Sequence, residues 1–205
     1  MSKRQDRATI TRIKKISRLI PGGKILDIGC RENLLQDFLP AGTEYFGLEV
    51  SSTNSSQNGE KNKFLPQGIC DDKSREVFGD LKFDAVVLAE TLEHLLEPFQ
   101  ALDNIKFLLR DGGQLIGSVP NAVAWRYFFF LELLGDGMND FVAPKWDGHE
   151  HFFAFNKYIL RTLLMRAGFK KITIKEWGSW IPGTGIFLPF NFRGSHLIFT
   201  AEKQS

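Results

Sequence analysis

The sequence predicts an α/β protein built on a mostly parallel, doubly wound sheet. Segments of strand length at Lys24 to Gly29, Thr43 to Val50 and Phe83 to Ala89 alternate with helical patterns. The run from Phe83 to Ala89 is almost wholly apolar, which is typical of a central parallel strand buried on both faces. Between Pro98 and Leu109, apolar residues recur with the spacing of an amphipathic helix.

Breaker residues divide these elements. Pro21-Gly22-Gly23 precedes the first strand, Pro40 ends a helix predicted from Glu32 to Leu39, and Asp111-Gly112-Gly113 ends the helix that begins at Pro98. The other predicted elements are strands at Phe64 to Ile69, Gln114 to Val119, Phe169 to Trp177 and Ser195 to Lys203, and a helix at Tyr158 to Ala167 closed by Gly168. We expect the last two strands to form a terminal antiparallel pair.

Composition points to one globular unit. The chain has 205 residues, 43% of them hydrophobic and 13% aromatic, and this content excludes a disordered chain. Two cysteines are too few for a disulfide scaffold or a cysteine-rich zinc site. Because neither a secretory signal nor a membrane-spanning apolar run is recognisable, we expect a cytoplasmic protein.

The charge is concentrated at the N-terminus. Residues 1–24 carry a net charge of +7 and the remainder −5. We interpret residues 1–22 as a basic amphipathic helix whose Ile10, Ile13, Ile16 and Ile20 pack on a domain formed by residues 23–205. The alternative is that this segment contacts RNA or a membrane surface. The sequence contains no nucleic-acid-binding motif, so nucleic acid is not expected as a partner.

Acidic residues stand where parallel strands end, and ligands bind at that edge of an open α/β sheet. Asp27-Ile28-Gly29-Cys30 ends the first strand, and Glu49 ends the second, where a carboxylate can accept hydrogen bonds from both hydroxyls of a ribose. Asp71 and Asp72 follow the third strand and could accept from an adenine amino group. This order predicts a nucleoside pocket.

These signals together resemble the class I S-adenosylmethionine-dependent methyltransferases of the small-molecule branch. The resemblance rests on the order of five segments: Ile25 to Cys30, Gly47 to Ser51, Phe83 to Leu95, Leu108 to Asn121, and His151 to Phe169. The segment from Pro120 to Met138 is also locally similar to methyltransferase-like proteins associated with methionine biosynthesis. The resemblance implies a Rossmann-like sheet of seven strands, with a terminal antiparallel strand and helices on both faces.

It also implies S-adenosylmethionine as cofactor and a small-molecule acceptor, methylated at oxygen. Cofactor contacts would come from Asp27, Gly29, Cys30, Glu49, Glu90 and either Asp71 or Asp72. Two segments depart from the family pattern. Arg31 and Asn33 stand where glycines are usual after the first strand, and Ile69 stands where an acid is usual after the third. These departures keep open a non-catalytic scaffold protein with the same fold, and an RNA methyltransferase is a further alternative.

The segment Glu90-Thr91-Leu92-Glu93-His94, joined by distant His151, is the candidate for catalysis. Our prediction is that His94 and His151 face the acceptor as general bases or substrate contacts, with Glu90 beside the cofactor. A structural role, and a divalent metal held by Glu90, Glu93, His94 and His151, remain open; we expect no metal requirement. The metal set resembles that of ubiquinone-pathway and small-RNA O-methyltransferases.

An aromatic-rich insertion, residues 121–155, separates the fifth strand from the last helix. Its aromatic residues could line an apolar acceptor pocket or form a lid. A homodimer interface, ordinary core packing and a membrane-surface contact are the alternatives that the sequence leaves open.

Overall fold

A mixed sheet organises the computed structural model, which describes residues 7–30, 33–50, 62–65, 68–124, 151–181, 186–188 and 194–204. The strands of this sheet are β1 (Lys24–Ile28), β2 (Glu44–Glu49), β3 (Asn62–Phe64), β4 (Phe83–Ala89), β5 (Leu109–Pro120), β6 (Phe169–Trp177) and β9 (His196–Lys203). Their order is β3-β2-β1-β4-β5-β9-β6, and β7 (Ser179–Ile181) pairs separately with β8 (Ile186–Leu188). The predicted α/β fold with a mostly parallel sheet is confirmed.

Alternate residues of the central strands enter two different cores. Leu26 and Val86 pack in a layer with the helices α2 (Pro98–Leu108) and α3 (Lys157–Arg166). Ile25 and Val87 pack in a second layer with the helix α1 (Arg7–Ser17). The two faces of a strand alternate residue by residue, so the nearly continuous apolar run of β4 serves both layers.

The last strands close the sheet as predicted. β9 pairs antiparallel with both β5 and β6, so it lies between them. Pro120 at the end of β5 faces His196 at the start of β9. The start of β9 therefore lies at the same sheet edge as the carboxyl ends of the parallel strands.

Three predicted elements differ in the structure. The segment predicted as a helix from Glu32 contains a short 3-10 helix, Leu34–Phe38, and residues 31–32 lie outside the described residues. The third strand ends at Phe64, because the chain turns and Gly68 adopts φ +56° at the start of a 3-10 helix, Gly68–Cys70. The fifth strand begins at Leu109 rather than Gln114, since the chain becomes extended directly after α2.

The N-terminal helix packs on the body of the protein, as its spacing predicts. Ile13, Ile16 and Ile20 are buried in the core layer of β1 and β4, whereas Lys14 and Lys15 are exposed. Within the described residues, no helix has the length and apolar character needed to cross a membrane.

Candidate functional site

The β1 strand ends in a buried carboxyl group. Asp27 is 5% exposed, and the Tyr45 hydroxyl donates a 2.9 Å hydrogen bond to its Oδ2 atom. Burial raises the pKa of Asp27 to about 7; the Tyr45 bond opposes this rise and the charge of Glu49 adds to it. The sequence did not indicate Tyr45 as the partner of Asp27, because its pattern predicts only a β-strand residue.

The loop after β1 packs closely against the loop after β4. Gly29 has φ +76°, and a Cβ atom there would lie 2.7 Å from Thr91 Oγ1. Thr91 Oγ1 in turn donates a 3.0 Å hydrogen bond to the Ile28 carbonyl. Cys30 is buried in this loop, and burial, with the charges of Asp27 and Glu49, raises its thiol pKa to about 12. Cys30 is therefore a packing residue rather than a nucleophile.

Glu49 lies at the neighbouring strand end. It is 7% exposed, and its Oε1 atom accepts a 2.8 Å hydrogen bond from the Val50 amide. Because Ile28 pairs with Leu48, Glu49 extends one residue beyond the end of β1. Two carboxyl groups, Asp27 and Glu49, thus border the same edge of the sheet, and the charge of Glu49 contributes to the raised pKa of Asp27.

The turn after β3 is held by a buried asparagine. Asn104 Nδ2 donates to the carbonyls of Ile69 at 2.8 Å and Asp71 at 3.3 Å. Asp71 Oδ1 accepts from the Lys73 amide and so caps the 3-10 helix Asp72–Arg75. Ile69 is fully buried in the core, and an adenine contact from its side chain is not available. The sequence did not indicate this role of Asn104, because the helix that contains it was predicted from the spacing of its apolar residues.

Glu90 follows β4 with φ +57°, a conformation uncommon for a residue with a side chain. Its Oε1 atom accepts a 2.9 Å hydrogen bond from Ser118 Oγ. Its Oε2 atom lies 3.5 Å from His196 Nε2 and 3.9 Å from Arg12 Nη1. Sequence reasoning missed these three partners, because they come from α1, β5 and β9.

The structure brings His94 and His151 together. Their ring centroids lie 4.7 Å apart in an edge-to-face arrangement. The Glu93 carbonyl accepts hydrogen bonds from the amides of Phe152 and Phe153, which attach the segment after His151 to the loop after β4. Burial, together with the nearby His94, lowers the pKa of His151, so its imidazole is neutral near pH 7.

Glu93 carries a fully buried carboxyl group. Among the described residues, neither of its carboxylate oxygens has a hydrogen-bond partner. Burial raises the pKa of Glu93 well above its ordinary value, and the charge of Glu90 adds to this rise. One donor atom each from Glu93, His94 and His151 lie within 4.8 Å of one another. Glu90, the fourth residue of the sequence-based metal set, is not in this group.

Several sequence predictions fall on residues outside the described ranges. These are Arg31 and most of the aromatic insertion, residues 125–150. The Asp72 side chain also lies outside the described part of the chain, and the choice between Asp71 and Asp72 for adenine stays a prediction.

The family of the chain follows from comparison with known proteins. A family model described as a methyltransferase domain matches residues 1–174. The chain belongs to this methyltransferase family, so the resemblance to S-adenosylmethionine-dependent methyltransferases is confirmed.

Solved structures share the fold at low identity. A possible histamine N-methyltransferase from Thermotoga maritima matches with a TM-score of 0.67 and 15% identity, covering 96% of this chain and 89% of that one. A 1,6-didemethyltoxoflavin-N1-methyltransferase from Burkholderia thailandensis, crystallised with S-adenosylhomocysteine, matches with a TM-score of 0.60 and 19% identity over 98% of this chain and 80% of that one. At these identities the likeness concerns the fold alone.

Among curated proteins, ubiquinone biosynthesis O-methyltransferases are similar. The protein from Actinobacillus pleuropneumoniae is 27% identical over 58% of this chain and 58% of its own length. The protein from Xylella fastidiosa is 28% identical over 65% of this chain and 61% of its own length. The chain thus spans about three fifths of the length of these relatives.

Proposed function

We propose that this protein transfers the methyl group of S-adenosylmethionine to an oxygen atom of a small-molecule acceptor. The observation that carries the proposal is the His94–His151 pair. Their ring centroids lie 4.7 Å apart, and His94 follows β4, the strand next to β1 in the sheet. The similarity to ubiquinone biosynthesis O-methyltransferases supports oxygen as the target atom and a hydroxylated aromatic compound as the first acceptor class to examine.

The residues around the strand ends fit the cofactor. Glu49 would accept hydrogen bonds from the ribose hydroxyls, and Asp71 or Asp72 would accept from the adenine. Asp27, Gly29 and Cys30 would surround the methionine part, and the glycine at φ +76° lets this loop pack against Thr91. The two buried carboxylates, Asp27 and Glu49, suit a ligand that offers hydroxyl and ammonium donors.

When bound, S-adenosylmethionine supplies an already activated methyl group on a sulfonium, so the protein's task is positioning, exclusion of water and proton transfer. His151, neutral near pH 7, would accept the proton that the acceptor hydroxyl loses when it is methylated. His94 would orient the His151 ring through their edge-to-face contact.

A methyl-transfer assay with a panel of catechols and phenols tests this function. His151→Asn should lower kcat at least about a hundredfold, the usual contribution of a positioned acid or base, while the affinity for S-adenosylhomocysteine stays within about twofold. Unchanged turnover in His151→Asn would exclude it as the base. Failure of the wild type to methylate any hydroxylated acceptor, with methylation of amines instead, would overturn oxygen as the target.

A metal-assisted form of the same reaction has one observation in its favour. The Glu93 carboxylate, buried without a hydrogen-bond partner in the described part of the chain, lies beside two imidazoles, a donor set that suits zinc or another divalent transition ion. Such an ion would polarise the acceptor hydroxyl. Elemental analysis of the purified protein, and calorimetry with Zn²⁺ and Mg²⁺, decide between the two forms. Activity that survives chelator treatment would exclude the metal.

A further inference from the structure

Polar groups from three separate elements surround the carboxylate of Glu90. Ser118 on β5 donates to Oε1, and the Glu90 amide donates to the Ser118 carbonyl at 3.0 Å. His196 on β9 and Arg12 on α1 both approach Oε2, at 3.5 Å and 3.9 Å. The Arg12 guanidinium also donates a 3.1 Å hydrogen bond to His196 Nε2. This group, which we call the Glu90 cluster, comprises Arg12, Glu90, Ser118 and His196.

The cluster is largely shielded from solvent. The side chains of Arg12, His196 and Glu90 are 11%, 13% and 20% exposed. A guanidinium can only donate, so the Nε2 atom of His196 accepts the bond from Arg12 and the imidazole is neutral in this arrangement. The cluster therefore contains one positive and one negative charge, and Arg12 is the group that balances Glu90.

The helix that carries Arg12 is anchored independently of the cluster. Ile13, Ile16 and Ile20 of the N-terminal segment are buried against the sheet layer that contains Val87. Arg12 is one turn before Ile16 and thus on the same side of the helix, which directs it toward the sheet rather than into solvent. The other basic residues of this segment that the structure describes as exposed, such as Lys15 and Arg18, do not share this position.

We propose that Arg12 is a positioning residue of the methyl-transfer site. Its guanidinium is oriented by the hydrogen bond to His196, and it holds the Glu90 carboxylate at the end of β4 and balances its charge beside the methyl donor. This inference rests on the proposed function, because it requires the cofactor to bind at this sheet edge. It gives the basic N-terminal helix a role within the site instead of a role toward nucleic acid or membrane. A backbone at φ +57° needs surrounding contacts to hold it, and Arg12 supplies one of them.

Calorimetry with S-adenosylhomocysteine and S-adenosylmethionine tests the inference on the full chain. Arg12→Gln should weaken S-adenosylhomocysteine binding about tenfold, since groups that share one network couple by about this amount. The loss for S-adenosylmethionine should be smaller, about threefold, because its additional sulfonium charge is attracted to the unbalanced carboxylate. A merely structural defect would weaken both ligands equally.

Three further variants show whether Arg12 acts through Glu90. Arg12→Lys keeps the charge and the fold and should restore most of the affinity. Arg18→Gln removes the same charge from an exposed position of the same segment and should bind like the wild type. In a Glu90→Gln background, Arg12→Gln should cause no further loss.

The results separate this inference from the proposed function. If the wild type binds S-adenosylhomocysteine but Arg12→Gln binds as tightly as Arg18→Gln, the positioning role is wrong. It is also wrong if Arg12→Gln weakens binding by the same factor in the Glu90→Gln background as in the wild type. The same holds if Arg12→Gln weakens the binding of both ligands by the same factor. If the wild type itself binds neither ligand at millimolar concentration, the proposed function fails and the inference falls with it.

Discussion

Asp27→Asn should make the protein more stable at alkaline pH, although it removes a residue of the cofactor site. The carboxyl group is 5% exposed, and the substitution keeps its size and its bond from the Tyr45 hydroxyl while removing the charge. The pKa of Asp27 rises from its ordinary 3.8 to about 7, mainly because burial penalises the charged form. At about 1.4 kcal/mol per pH unit, ionised Asp27 costs the folded state about 4 kcal/mol at pH 8.

The direction of the pH dependence follows from proton binding. The folded protein keeps the Asp27 proton up to about pH 7, whereas the unfolded chain releases it near 3.8. The folded state thus binds more protons in this window, so the unfolding free energy falls as pH rises and levels off above pH 7. Between pH 5 and pH 8.5, the difference in unfolding free energy between Asp27→Asn and the wild type should grow by about 2–3 kcal/mol in favour of the variant.

Urea unfolding of both proteins, followed by circular dichroism at pH 5, 6, 7 and 8.5, measures this difference directly. Val123→Thr is a control, since it changes a half-exposed residue and neither side chain titrates. It should shift the unfolding free energy equally at all four pH values. A variant that is less stable than the wild type at pH 8.5, or a gap that does not change with pH, would refute the reasoning. That outcome would mean that Asp27 is ionised in the folded state at little cost.

Three other substitutions give distinct results. Tyr45→Phe removes the bond that lowers the pKa of Asp27, so the pH below which S-adenosylhomocysteine affinity falls should move upward; an unchanged profile by calorimetry would contradict this. Gly29→Ala should destabilise the protein by about 1–3 kcal/mol in urea unfolding, because a Cβ atom at φ +76° meets Thr91 Oγ1; equal midpoints would show that the loop adapts. Glu93→Gln should raise the unfolding free energy at pH 8 by about 1–3 kcal/mol in the presence of a chelator, because burial penalises the charged form of the carboxyl group and the amide carries no charge. A decrease in metal-containing buffer that the chelator abolishes would instead indicate a bound cation at Glu93.

The sheet could be predicted because its signals are local. The apolar run of β4, the glycine after β1 and the acids at the ends of β1 and β2 each lie within a few residues of sequence. The structure also places His94 beside His151, two distant positions that only the family resemblance linked, and their roles toward the acceptor stay a prediction.

The partners of the site residues could not be predicted, because they meet only in the folded chain. Tyr45 and Asp27 are 18 positions apart on neighbouring strands, and Arg12 and His196 are 184 positions apart. The spacing of Arg12 from Ile16 places it on the buried side of its helix, but no sequence pattern shows that Glu90 and His196 are its partners. The short 3-10 segments were missed for a different reason, since turn geometry at Gly68 outweighs the strand propensity of the residues around it.

The central claim, that S-adenosylmethionine binds across the acidic strand ends, is tested most directly by titrating S-adenosylhomocysteine into the wild type and Glu49→Ala in parallel. The account predicts micromolar binding to the wild type and a loss of about 1–3 kcal/mol in Glu49→Ala, the effect expected for hydrogen bonds to a charged group. Equal affinities would contradict the ribose contact of Glu49, and a wild type that binds nothing at millimolar ligand would contradict the cofactor site as a whole.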